Sequence, residues 1–240
     1  TLYSENPEKK HFREFLTSLN QGYEEDDQVV LILNGDIFDV TSSWHGEVLP
    51  WDADAGKVEA ILKNIITRII ENNAFVIREL KHFLKHPLSQ IVYVLGNHDS
   101  LIGHYLAAQD LIREALLADL NLSSDRIRFV DSFEEPSLGL YVEHGHRFDP
   151  LNVSDNQQPC FGDVISILVV NHSVELILAG LKEAGYSSEL ISKIQSNLHD
   201  IEYLRPLSLL PFWIESIASI YRQHPECEGK SESIQGIFRK

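Results

Sequence analysis

The sequence predicts an α/β protein with a largely parallel, in part mixed, sheet flanked by helices, and an α-helical cap or insertion after it. Short apolar runs rich in β-branched residues alternate with helical patterns over the first 150 residues, which is typical of parallel strands joined by right-handed crossovers. The remainder carries helical patterns without a convincing strand. We therefore place a core domain at 1–153 and a helical cap or insertion at 154–240, and we expect a final core strand beyond it.

The predicted core elements begin with a helix and end with a strand. Residues 29–34 are apolar almost throughout, so this strand is expected to be fully buried. Apolar residues recur at helical spacing from Val58 to Leu84, with an expected break near Asn72 and Asn73. Helices are predicted at 11–21, 58–84 and 104–119. Strands are predicted at 29–34, 91–95, 126–130 and 139–150, the last of which ends in a polar cluster.

Three helical patterns, at 163–183, 187–199 and 207–223, form the predicted cap. The first is apolar nearly all round, which favours core packing within the cap. The alternative is a lid that accommodates an acylated substrate, because an apolar cap beside a polar centre would suit such a molecule.

Composition limits the classes of function. The formal charge of −16 and the absence of a long Lys/Arg cluster argue against nucleic-acid binding. Two cysteines, Cys160 and Cys227, are too few for a disulfide framework. We expect no transmembrane segment and no signal peptide, hence a cytoplasmic protein. The chain contains no methionine, which suggests an internal stretch of a longer protein. The oligomeric state is not predicted.

Polar clusters follow three of the predicted strands, each next to a glycine. They are NGDIFD (34–39), GNHD (96–99) and EHGHRFD (143–149). Because the carboxyl ends of parallel strands meet at one edge of a sheet, we expect the clusters to converge. The glycines would let the backbone approach a bound metal closely. Mixed carboxylate, amide and imidazole donors suit Mn, Fe, Zn or Ni better than Ca.

In this order, GDIFD, GNHD and HGHRFD resemble the second, third and fourth signature blocks of the calcineurin-like metallophosphoesterases. They are similar in particular to the bacterial branch that includes the UDP-2,3-diacylglucosamine hydrolases. The resemblance covers roughly residues 29–150. It implies a metallophosphoesterase-like core and hydrolysis of a phosphomonoester, phosphodiester or pyrophosphate bond by a hydroxide that two divalent metal ions activate. Manganese is the favoured metal, and a phosphorylated small molecule or lipid-linked compound is the implied substrate.

The resemblance also implies roles for individual residues. Asp36 would bridge the two metal ions, and Asn97 and His144 would bind the second ion. His98 would orient the phosphate and assist the leaving group. Asp99 would hold His98 in its tautomer and orientation.

Three further residues are candidates for supporting roles. By the same resemblance, Asp39 would hydrogen-bond near the metal-bearing turn. For His146, a role beside the metal or facing the substrate competes with a structural one. Arg147 could clamp a phosphate, since its planar fork matches phosphate oxygens, or form a surface salt bridge.

Two of the family's blocks are absent from the sequence. No Asp-x-His and no Gly-His-x-His motif occurs anywhere in the chain. One interpretation is that the chain is an internal stretch of a longer enzyme. The alternative function is a non-catalytic scaffold or sensor that keeps the fold with an incomplete metal site.

Overall fold

The structure, a computed structural model, describes residues 9–21, 27–45, 48–153, 159–198, 201 and 209–227. The chain divides into two compact units, residues 1–164 and 165–240. The predicted domain boundary lay between 153 and 154.

The first unit combines strands and helices. Its strands are β1 (Val29–Asn34), β2 (Ser89–Val94), β3 (Ile127–Val130), β4 (Ser132–Glu135) and β5 (Leu140–Glu143). Its helices are α1 (Lys9–Gln21), α2 (Ala55–Asn72), α3 (Ala74–Leu84), α4 (Ser100–His104), α5 (Leu106–Leu117) and α6 (Phe161–Val164). The architecture is α/β with a parallel sheet and many helices, as the sequence predicted.

The parallel sheet has the strand order β1-β2-β3. Asn34 pairs with Val94 and Val94 with Val130, so β1 and β2 end side by side and the glycine-containing turns that follow them are neighbours. β2 lies in the centre, with Ile91–Val94 buried. The prediction that β1 is fully buried was wrong: β1 is a sheet edge among the described strands, and only Val29 of it is buried.

A second, two-stranded sheet carries the third polar cluster. Here β5 pairs antiparallel with β4, a short strand that the sequence analysis missed because SFEE has little apolar character. The cluster at 143–149 therefore follows a hairpin strand and not a third strand of the parallel sheet. The convergence expected from parallel strands holds only for the turns after β1 and β2.

Two predicted helices of the core, at 58–84 and 104–119, each form two separate helices in the structure. Asn73 separates α2 from α3, where its side-chain amide donates to the Ile69 carbonyl at 2.9 Å, and this confirms the expected break. The predicted helix at 104–119 is instead α4 and α5, separated at Tyr105, whose backbone is extended. The first of these helices begins at Ser100, directly after the GNHD turn.

Helices make up the described part of the second unit. They are a π-helical segment (Ile165–His172), α7 (Ser173–Glu183), α8 (Ser188–Leu198) and α9 (Leu210–Gln223). Val174, Ile177 and Leu181 pack into a core with residues of α8 and α9. The helical run Phe161–Glu183 is long and apolar enough to cross a membrane, whereas no transmembrane segment was expected from the sequence. A core helix of a soluble protein meets the same criterion.

A buried carboxylate connects α1 to α3. The Glu79 side chain is 8% exposed and accepts a hydrogen bond from Arg13 at 3.0 Å, while Arg13 and Arg78 both lie over the Phe75 ring. Burial alone would raise the pKa of Glu79, but the hydrogen bond and charge of Arg13, helped by Arg78, bring it below its ordinary value of 4.5. A carboxyl with a depressed pKa stabilises the fold above its unfolded pKa.

We therefore expect Glu79→Gln to lower the free energy of unfolding by about 1 kcal/mol at pH 7. The deficit should disappear as the pH falls through the depressed pKa of Glu79, below 4.5. Urea unfolding of both proteins at pH 7 and pH 3 measures it. Glu59→Gln, which breaks an exposed pair with Lys63, is the control and should cost only a few tenths of a kcal/mol. An equal deficit at both pH values would contradict the charge argument.

Candidate active site

The turn after β1 has an unusual backbone. Gly35 (φ +76°) and Asp36 (φ +54°) both adopt left-handed conformations, and only the first is glycine. A Cβ on Gly35 would lie 2.1 Å from Nδ1 of His144. The glycine therefore makes room for the His144 ring, where the sequence analysis expected it to make room for a metal. A left-handed non-glycine residue costs energy, so the surrounding contacts must hold Asp36 in place.

Asp36 faces His144 across the site. Nδ1 of His144 lies 2.9 Å from the Asn34 carbonyl oxygen, and because a carbonyl only accepts, Nδ1 donates. In a neutral imidazole, Nε2 then carries no proton and has a lone pair. This Nε2 lies 3.2 Å from Oδ2 of Asp36. Two acceptors that face each other at this distance need a cation between them, either a proton or a metal ion. Donation from the second ring nitrogen to a carbonyl is also how metal-ligating histidines are held.

Asn97 is the third expected ligand. It is 8% exposed, and its side-chain amide makes no hydrogen bond to any described residue. An amide oxygen that accepts no hydrogen bond from these residues is available to coordinate a metal ion. The next residue, His98, donates its backbone N–H to Oδ1 of Asp36 at 3.0 Å, so Asn97 is held beside the Asp36 turn.

Asp36, Asn97 and His144 provide enough ligands to suggest a site for one divalent ion, but not a complete site for two. In the described ranges, no three His, Cys, Asp or Glu side chains converge as a metal site. Asp36 and His144 supply two donors of those types, and Asn97 adds an amide oxygen. The residues present thus match part of the ligand set that the resemblance implies.

His98 is oriented by a different carboxylate from the one expected. Its Nδ1 lies 2.9 Å from Oδ1 of Asp39, whose side chain is buried and also accepts from the Ser42 N–H. Burial alone would lower the pKa of His98, but the hydrogen bond to Asp39 and its charge, with the charge of Asp36, raise it to about 9. The Asp39 pKa is correspondingly lowered: burial alone would raise it, but the bond to His98 outweighs that. His98 is thus a protonated imidazole at neutral pH.

Asp99 does not contact His98 in this way, which corrects the role expected for it. Its fully buried carboxylate accepts from Tyr93, the backbone N–H of Gly96 at 2.6 Å and that of Ile37 at 3.1 Å. Burial raises the pKa of Asp99 to about 6 despite these donors. Asp99 therefore connects the two turns, and Asp39 takes the place beside the imidazole.

The two remaining candidates lie in the third cluster. The His146 ring centroid is 5.6 Å from that of His144. Burial first, and then electrostatic interactions with His144 and Arg147, lower the pKa of His146. Arg147 forms an ion pair with Asp131 at 3.6 Å in which both side chains are largely exposed. This is the surface salt bridge that the sequence analysis named as the alternative for Arg147.

Asp163, at the end of the first unit, is a further polar residue near the Asp39–His98 pair that the sequence did not indicate. Its Oδ1 lies 3.5 Å from the hydroxyl of Thr41, its Oδ2 accepts from the Cys160 N–H at 3.3 Å, and its charge adds to the rise in the pKa of His98. Burial raises the pKa of Asp163 itself. No motif surrounds this residue, and its proximity to the Asp39–His98 pair follows only from the folded chain.

We expect Asp39→Asn to lower the pKa of His98 from about 9 towards the ordinary value of 6.5, because the neutral amide no longer stabilises the imidazolium. NMR titration of the carbon-bound ring protons in EDTA-treated protein measures this, with His98→Gln to assign the signal. Asp163→Asn serves as the comparison and should lower the same pKa by less. An unchanged pKa in Asp39→Asn would show that another group orients His98.

One comparison with known proteins identifies a family. The family model described as Calcineurin-like phosphoesterase matches residues 8–180. Neither a curated protein nor a solved structure matches the chain. The matched range covers more than half of the 240 residues and contains both turns and the third cluster. The chain therefore belongs to the calcineurin-like phosphoesterases, a family of hydrolases that act on phosphoester bonds.

Proposed function

We propose that this chain is the core of a metal-dependent phosphoesterase that hydrolyses a phosphomonoester, phosphodiester or pyrophosphate bond. The observation that carries the proposal is the pair of facing acceptors, Nε2 of His144 and Oδ2 of Asp36 at 3.2 Å, beside the unpartnered amide of Asn97. These three side chains would hold a divalent ion, and Asp36 would be shared with a second one. Manganese is the metal we favour.

When bound, divalent ions polarise phosphoryl oxygens and make water acidic enough to supply a nucleophile at neutral pH. The chain's own contribution is centred on His98. Since Asp39 accepts from Nδ1, the Nε2–H is the proton that His98 can offer to a phosphate oxygen or to the leaving group. A general acid placed in this way contributes a factor of about 10²–10⁴ in rate.

The substrate we propose is a phosphorylated small molecule or a lipid-linked compound, and the location is cytoplasmic. The acidic chain, at −16, argues against a nucleic acid. An acylated substrate would agree with the apolar helix Phe161–Glu183, but a helix that packs a core has the same composition.

A non-catalytic scaffold or sensor is the second candidate. One observation favours it: within the described residues, the donor set is incomplete for two metal ions. Such a protein would bind one ion at Asp36, Asn97 and His144 and would not turn over phosphoesters.

Hydrolysis assays with metal analysis separate these candidates. The protein is incubated with Mn²⁺ and assayed on mono- and bis-(p-nitrophenyl) phosphate, with and without EDTA, and bound metal is measured by elemental analysis. We expect Mn²⁺-dependent turnover of at least one substrate. Bound metal without turnover of either would favour the scaffold, and no bound metal would rule out both.

A further inference from the structure

A buried tyrosine hydroxyl lies beneath the two turns of the site. Tyr93 in β2 is 1% exposed, its ring stacks on Phe129 at 5.1 Å and is tilted against Phe38 at 6.3 Å. Its neighbours in the strand, Val92 and Val94, are apolar and fully buried. A phenylalanine would fill the same space, so packing does not explain the hydroxyl.

The hydroxyl is fully engaged in hydrogen bonds. It donates to Oδ2 of Asp99 in the turn after β2 and accepts from the backbone N–H of Phe38 in the turn after β1, at 2.9 Å. The same Oδ2 of Asp99 accepts from the N–H of Ile37 at 3.1 Å, and Oδ1 accepts from Gly96. One tyrosine and one carboxylate thus satisfy consecutive amides of the first turn and an amide of the second.

This network joins the two turns from beneath, while Thr41 and His98 join them elsewhere through the Thr41 N–H and the His98 carbonyl at 3.0 Å. Neither turn is helix or strand, so no regular ladder aligns them beyond Asn34 and Val94. Asp36 is held in a left-handed conformation directly before the two amides that Asp99 and Tyr93 bind. Loss of these hydrogen bonds would leave the two amides that follow Asp36 unpaired and would loosen the backbone directly after it.

We propose that Tyr93 is a positioning residue: through Asp99 and the Phe38 amide, its hydroxyl sets the placement of Asp36 relative to Asn97. The inference rests on the proposed function, in which these two side chains bind a divalent ion. Because Tyr93 is 1% exposed, it would act through the turns.

The test compares two single substitutions on the same strand. Tyr93→Phe removes the hydroxyl and keeps the ring. Ser89→Ala, the matched control, removes a buried hydroxyl at the opposite end of β2, where Ser89 donates to the carbonyls of Phe83 and His86. Both variants should lose stability in urea unfolding, since each leaves buried polar groups unpaired.

Metal binding separates a positioning role from a structural one. We expect Tyr93→Phe to weaken Mn²⁺ binding about 10–100-fold by isothermal titration calorimetry, the usual effect of removing a group that orients ligands. Excess Mn²⁺ should restore much of kcat. Ser89→Ala should bind Mn²⁺ as the wild type does. Wild-type Mn²⁺ affinity in Tyr93→Phe would overturn the proposal.

A second measurement does not depend on metal binding. In EDTA-treated protein, amide hydrogen exchange at Ile37 and Phe38 should be faster in Tyr93→Phe and unchanged in Ser89→Ala. Unchanged exchange in Tyr93→Phe would overturn the positioning role. If the wild type fails to bind Mn²⁺, the proposed function falls, and the exchange rates still decide whether Tyr93 holds the turn.

Discussion

Asp36→Asn is expected to lower kcat/KM for Mn²⁺-dependent phosphoester hydrolysis by about 10³-fold, since several kcal/mol of transition-state stabilisation depend on bound metal. Asparagine has the shape of aspartate. Its oxygen can accept from the His98 N–H in place of Oδ1, and its amide can donate to Nε2 of His144 in place of the facing carboxylate oxygen. The metal-free fold should therefore keep its stability while the negative charge that attracts the cation is lost.

Three measurements on Asp36→Asn test this together: steady-state kinetics, Mn²⁺ titration calorimetry and urea unfolding. Asp110→Asn is the control, because Asp110 is an exposed carboxylate on α5 that pairs with Arg113, its one ion-pair partner among the described residues. It should leave all three measurements near the wild-type values. Retained activity in Asp36→Asn would refute the ligand role of Asp36.

Gly96→Ala is the second variant for which we expect a large effect, a loss of about 10²-fold in kcat/KM from misplacement of the ligands. The added Cβ would lie 2.2 Å from Oδ1 and 2.7 Å from the backbone nitrogen of Asp36. A backbone atom cannot rotate away as the end of a side chain can. The turn after β1 must therefore shift as a whole, and Asp36 shifts with it.

Gly139→Ala is the matched control, because it also adds a methyl group to a glycine but creates no steric contact. Gly139 has a left-handed φ of +61°, whereas no left-handed φ is found at Gly96, and nothing lies within 4 Å of a Cβ at 139. The control should lose about 1–2 kcal/mol of stability and keep its activity. Equal losses of activity in both variants would show that general destabilisation, and not the contact with Asp36, is responsible.

The candidate ligands could be predicted from sequence because their chemistry is local. An apolar strand followed by glycine and a carboxylate or amide indicates a polar site, and Asp36 and Asn97 follow neighbouring strands of one sheet as expected. His144 meets them by another route, from the antiparallel strand β5. His144 lies 3.2 Å from Asp36, but it arrives there from a hairpin and not from the parallel strand that was expected.

The partner of His98 could not be predicted, because two carboxylates compete for it. Asp99 is adjacent in the chain and Asp39 is 59 residues away, so local reasoning favours Asp99. In the fold, Asp99 points inward to Tyr93 and the amides of Gly96 and Ile37, where three donors satisfy it. Asp39 then remains to pair with the imidazole.

By itself, the sequence determined the α/β class, the positions of β1 and β2, and the residue types gathered where they end, because apolar periodicity and glycine placement act over a few residues. The tertiary structure alone decided that β1 is an edge strand among the described strands, that Asp163 lies near His98, and that Gly35 and Gly96 make room for His144 and Asp36. Each of these is a contact between segments far apart in the chain. Such contacts depend on the direction in which each turn leaves its strand, and no local pattern of residues encodes that direction.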